Sequence, residues 1–86
     1  MKKTRLHGTV IYSDFDKELP TGFEGYEFIF NGVTYFIPKT KLIWHDSKYT
    51  VMMHKTYNNG LVHQLSNTQL EANTLADIKG FAKYML

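Results

Sequence analysis

The sequence predicts an α+β domain: an antiparallel sheet of five to six strands built from consecutive hairpins, strongly curved or partly barrel-like, packed against one C-terminal amphipathic helix. Three observations carry that prediction. Apolar and polar residues alternate along residues 5–13, asparagine–glycine turn signals separate strand-like runs such as the matched apolar arms of 26–37, and apolar residues recur at helical spacing near the C-terminal end. A run of strands followed by one amphipathic helix can bury both apolar surfaces only if the helix lies across the sheet. The expected strands span about residues 5–13, 25–30, 33–37, 41–45, 49–57 and 61–66, and the helix about 69–85, in a single domain of 1–86.

The first strand is read from Leu6, Gly8, Val10 and Tyr12, which alternate with Arg5, His7, Thr9, Ile11 and Ser13. From Ser13 to Gly25 the alternation stops, which predicts an ordered loop held by Phe15, Leu19 and Phe23, with Ser13 and Asp16 capping a short turn that Pro20 ends. The strongest local signal is Asn31-Gly32, two residues that accept the positive φ angles of a type I′ turn. That turn pairs Phe30 with Val33, Phe28 with Tyr35 and Tyr26 with Ile37, so one face of the hairpin is apolar or aromatic. Ile29 and Phe36 fall on its other face beside Glu27 and Thr34, so that face also calls for a cover, from the helix or from a partner.

Lys41 to His45 is expected to face the strand of Tyr49 to Tyr57 across a turn at Asp46 and Ser47. Asn58-Asn59-Gly60 suits a three-residue loop, pairing Tyr57 with Leu61 and Met53 with Leu65 and burying Val51, Met53, Tyr57, Leu61 and Leu65 together. In that register His54 and His63 point to opposite faces. Thr68-Gln69-Leu70-Glu71 matches a capping box, and Leu75, Ile78, Ala82 and Met85 form a stripe with Phe81 beside it and Gly80 on the far side.

Composition excludes several function classes. With no cysteine, a disulfide scaffold, a thiolate zinc site and a thiol nucleophile are absent. The basic start Met1-Lys2-Lys3-Thr4-Arg5 leads into Leu6-His7-Gly8-Thr9 rather than an apolar signal segment, and no apolar run approaches the ~20 residues of a membrane-spanning helix, so a cytoplasmic location is expected. The four histidines, His7, His45, His54 and His63, lack close metal-ligand spacing, and Asp14, Asp16 and Glu18 resemble only the first half of a calcium loop, with Leu19 where the sharp turn needs glycine. The three serines, Ser13, Ser47 and Ser66, show no nucleophile motif, and the six glycines fit neither phosphate-cradling pattern. No catalytic residue, cofactor or metal is therefore expected.

Charge is unevenly spread although the net charge is only +2. Residues 13–27 hold Asp14, Asp16, Glu18, Glu24 and Glu27 against Lys17, whereas basic residues gather at Lys2, Lys3 and Arg5 and again at Lys39, Lys41, Lys48 and Lys55 against Asp46. Lys2, Lys3, Arg5, Lys39, Lys41 and Lys48 are the candidate contacts to a nucleic acid or protein partner. Gly8-Thr9-Val10 followed by Gly22-Phe23-Glu24-Gly25-Tyr26-Glu27-Phe28-Ile29 resembles the opening of cold-shock and related OB-fold proteins over about a quarter of the chain. It departs from that pattern in its long acidic loop, in Glu24 and Glu27 and in its terminal helix, so the resemblance assigns no binding residue. Phe28, Phe30, Tyr35 and Trp44 at strand spacing read as core rather than as a base-stacking platform, and a single arginine is little for a phosphate reader.

The expected function is a small non-catalytic protein-binding or accessory module, partnered by another protein or by a second copy through an edge strand or sheet face. In lacking catalytic motifs it resembles small accessory proteins of phages and mobile elements. Weak single-stranded nucleic-acid binding is the alternative, and an enzyme or metal-binding protein ranks third; no membrane partner is expected.

Overall fold

The computed structural model describes residues 2–14, 16–41 and 48–85, with the backbone alone for residues 69 and 81–85. Its elements are β1 (Lys2–Leu6), β2 (Thr9–Tyr12), β3 (Lys17–Leu19), β4 (Phe23–Phe30), β5 (Val33–Pro38), β6 (Tyr49–Tyr57), a 3₁₀ turn (Asn58–Gly60), β7 (Val62–Ala72) and α1 (Leu75–Met85). The seven strands form one sheet in the order β1-β4-β5-β6-β7-β2-β3. The sheet is mixed, because β2 pairs parallel with β7 while the other neighbours are antiparallel, and it is not closed, because β1 and β3 end the order. This corrects the expected five to six antiparallel strands in consecutive hairpins. The strand expected at 41–45 falls outside the described residues except for Lys41, which lies in no strand.

The departure arises within the first strand. Pairs Lys2–Glu27 to Leu6–Phe23 and pairs Val10–Leu19 to Tyr12–Lys17 keep one register without a slip, so β1–β2 and β3–β4 are the arms of one long hairpin. That hairpin bends at His7–Gly8 in one arm and Pro20–Gly22 in the other, where Gly8 (φ 92°) and Gly22 (φ 78°) occupy the left-handed region. At the bend Gly22 N–H donates to the Leu6 carbonyl (2.8 Å), Gly8 N–H to Thr21 Oγ1 (3.1 Å), and Thr9 N–H to the Leu61 carbonyl (2.9 Å). The first half of the hairpin therefore joins β5, and the second half joins β7 at the other end of the sheet. The segment read as a loop contributes β3, whose Leu19 is buried.

Bending forces the sheet to roll. In a flat sheet, five strand spacings of about 4.8 Å would put β1 and β2 roughly 24 Å apart. Two residues link Leu6 to Thr9, a reach of about 11 Å at most, so the sheet curls until its ends approach. Its concave face encloses Leu6, Val10, Tyr12, Leu19, Phe36, Met52 and Leu65, with Phe23 packed against them. Its convex face carries Phe28, Ile37 and Val51, covered by Ile78 of α1 and flanked by Tyr26, Phe30, Tyr35, Tyr49, Leu70, Ala72 and Leu75. The helix thus covers the aromatic side of the Asn31-Gly32 hairpin, and the sheet itself covers Phe36. That hairpin has the predicted register, with Asn31 (φ 51°) and Gly32 (φ 77°) both left-handed.

Two further expectations fail for identifiable reasons. Asn58, Asn59 and Gly60 all adopt positive φ (54°, 56° and 89°), so the β6–β7 loop runs through Leu61 and pairs Tyr57 with Val62 and His54 with Leu65. Tyr57 and Leu61 are exposed rather than buried, and Met52 takes the place expected of Met53 opposite the concave core. The second failure concerns the helix start. Thr68 does not cap a helix; its hydroxyl donates to the Val51 carbonyl (2.8 Å) in an irregular stretch of the β6–β7 ladder, and β7 runs on to Ala72. Thr74 is the cap, accepting from Asp77 N–H at 3.2 Å, which places an acid in the first turn.

Three substitutions test this packing by urea denaturation. A Cβ at Gly25 would collide with the Ile37 carbonyl and the Phe36 ring, so Gly25→Ala is expected to cost about 1–3 kcal/mol. Gly80 meets open space on the helix, so Gly80→Ala is expected to gain up to about 1 kcal/mol. Ile78, fully buried under the helix, should not tolerate Ile78→Asp, with a loss of about 4 kcal/mol or more.

Candidate functional site

The six candidate contacts separate in space. Alternation along β1 puts Lys3 opposite Tyr26 and Arg5 opposite Glu24 on the convex face, while Lys2 stands opposite Glu27 on the concave one. Arg5 forms an ion pair with Glu24, and Lys39, just past β5, reaches the same carboxylate at 3.2 Å. The Lys39 hydrogen bond first, then the Arg5 charge, hold the Glu24 carboxyl below its ordinary value. Beside them the Lys79 ammonium of α1 lies 3.8 Å from the Tyr26 ring centroid. Lys3, Arg5, Lys39 and Lys79 thus surround one carboxylate and one ring. Lys41 lies 5.8 Å from the Tyr49 ring centroid, and Lys48 is half-buried ahead of β6. The structure unites Lys3, Arg5 and Lys39, and separates Lys2 from them.

A second constellation escaped the sequence reading. The one-residue change of register places His63 opposite Thr56, two residues from His54 on the same strand face. His54 Nε2 lies 2.8 Å from His63 Nδ1, and His54 Nδ1 lies 3.2 Å from Glu27 Oε2. His54 is buried, with 9% of its surface exposed, and meets the Phe36 ring edge-on at a centroid distance of 6.1 Å. Burial is the main cause of its lowered pKa; Glu27 opposes that shift and His63 adds to it. The signal that could have found this chain was the run Asn58-Asn59-Gly60, since three consecutive left-handed residues make a longer loop than the two of Asn31-Gly32.

The chain Glu27–His54–His63 lines the hairpin-tip end of the concave face. Around that mouth lie Thr34, opposite Ile29 on the β4–β5 hairpin, and Thr56, opposite His63. Ile29 is 62% exposed there. Glu27 and His63 contact opposite nitrogens of the His54 ring and do not converge on a point, and among the described residues no group of three or more potential ligands is arranged to hold a metal ion. Asp14, of the acidic loop, accepts from Asn67 N–H at 2.9 Å, and Ser13 and Ser66 share a hydrogen bond at 3.0 Å. Among the described residues no helix is long and apolar enough to cross a membrane. No family model, curated protein or solved structure matches the chain.

His54 gives stability a direction with pH. Its folded pKa lies below the ordinary value of about 6.5, so the unfolded chain binds the proton more readily. The contribution is whole above pH ~6.5 and is lost as pH falls from there through the lowered value. In His54→Gln the amide can donate to Glu27 and accept from His63. Urea titrations from pH 8 to pH 5 should show stability falling in the parent protein and a flatter profile in this variant.

Proposed function

We propose that the protein is a small non-catalytic binding module that takes an acidic, extended segment of a partner protein along β1. The observation that carries this reading is the convergence of Lys3, Arg5 and Lys39 beside an edge strand. Among the described residues β1 ends the sheet order, and one side of its backbone pairs with none of them, the requirement for strand addition. Its basic residues also discourage pairing with the β1 of a second copy, since an antiparallel pair of such strands would juxtapose like charges. An acidic strand meets no such penalty.

Single-stranded nucleic acid ranks second. Lysines and one arginine suit a phosphate backbone, but among the described residues the rings nearest the basic surface are engaged. Phe28 and Tyr35 stack on each other at 5.3 Å in the helix-covered cluster, and Lys79 occupies the Tyr26 ring.

Fluorescence anisotropy separates the two. An extended peptide alternating Glu with Val or Thr should bind at low salt, and Lys3→Glu should weaken it about tenfold. A labelled oligothymidylate should bind more weakly and be lost near physiological ionic strength. Oligonucleotide binding tighter than the peptide and persisting at such salt would reverse the ranking.

A further inference from the structure

The hydrogen-bond chain at the concave mouth fixes the position of every proton in it. Ionised Glu27 only accepts, so the nitrogen facing it, His54 Nδ1, carries a proton. Neutral His54 then presents a bare Nε2, so the 2.8 Å contact requires His63 Nδ1 to donate. This leaves His63 Nε2 unprotonated and without a hydrogen-bond partner among the described residues. Both tautomers follow from one carboxylate.

We propose that Glu27, His54 and His63 form a site for one proton that gates the hairpin-tip mouth of the rolled sheet. The first proton adds at His63 Nε2 and all hydrogen bonds remain. The Nδ1–H bond of His63 can then break as an N–H bond forms at His54 Nε2, carrying the positive charge next to Glu27 while His63 Nδ1 becomes the acceptor. A second proton has no such place: both nitrogens of the His54–His63 contact would bear hydrogen, and two cations would face each other. The bond breaks, and the β6–β7 ladder beyond it, Thr56–His63 and Tyr57–Val62, loses its anchor.

Among the described residues the other titratable groups on this face are Lys2, at the Glu27 end, and Tyr12 and Lys17, paired with each other along β2–β3, with Tyr12 opposite Leu65. β1 contributes Lys2, opposite Glu27; β5 contributes Phe36, against the His54 ring; and β2 contributes Val10, opposite His63. The site is separate from the basic convex surface, so its test is independent of peptide binding.

Imidazole nitrogen NMR on the intact protein tests the proposal directly. At pH 8 both His54 and His63 should be protonated at Nδ1 and not at Nε2; an Nε2–H on His63 overturns the proposal. Amide exchange, corrected for intrinsic pH dependence, should rise more than tenfold across residues 55–64 as the second proton is taken, with Leu65 and Val51 less affected. His63→Gln keeps a donor for His54 Nε2 but removes the second titrating ring, so it should stay folded and lose the acid-induced opening. Identical acid opening in His63→Gln and the parent protein, or two cationic rings with the tip still protected, overturns the proposal.

Discussion

The rest of the fold depends on the bend in the first hairpin. A straight hairpin in this register would extend past the sheet and leave Val10, Tyr12 and Leu19 with nothing to cover. Bent at Gly8 and Gly22, it returns its second half to β7, and those side chains complete the concave core with Phe36, Met52 and Leu65. Gly8 is required on two counts: its φ is left-handed, and a Cβ there would collide with the Leu61 carbonyl. Backbone geometry at the bend thus decides whether the concave core is completed.

Because the sheet rolls on one side and carries α1 on the other, its middle strands are buried on both faces. Thr50, Val51 and Met52 are consecutive and all fully buried, as for a strand covered on both faces rather than one alternating between core and water. Polar groups there need partners, and Thr50 Oγ1 donates to Asn67 Oδ1 at 3.0 Å. The same demand operates at the mouth, where His54 is buried and bonded at both ring nitrogens. The convex surface meets it differently, with Arg5 and Lys39 sharing Glu24 in contact with solvent. Charge sits outside and a hydrogen-bonded proton chain inside, separated by the thickness of one sheet.

What the sequence revealed was local. Asn31-Gly32 specified a turn type and register because both residues tolerate positive φ, and the stripe containing Leu75 and Ile78 marked the helix. Long-range pairing was not visible. The alternation of residues 5–13 looked unbroken because Gly8 occupies an apolar phase without a side chain, which hid the change of partner at that point. Thr68 to Glu71 looked like a capping box because hydroxyls serve helix starts and ladder irregularities alike; Thr74 and Asp77 offered the same signal six residues on. The histidine chain was missed by a single residue of register, which in a strand reverses every side chain. The basic surface was partly legible: Lys3, Arg5 and Lys39 were candidates, but Lys79 comes from the helix, whose covered face one sequence could not specify.

The bent hairpin can be tested most directly by backbone NOEs across the β2–β7 boundary. The account predicts parallel-ladder contacts linking Val10 with His63 and Tyr12 with Leu65, together with antiparallel contacts of Leu6 with Phe23 and Val10 with Leu19. A straight first hairpin, with the antiparallel contacts present and none between β2 and β7, would contradict it.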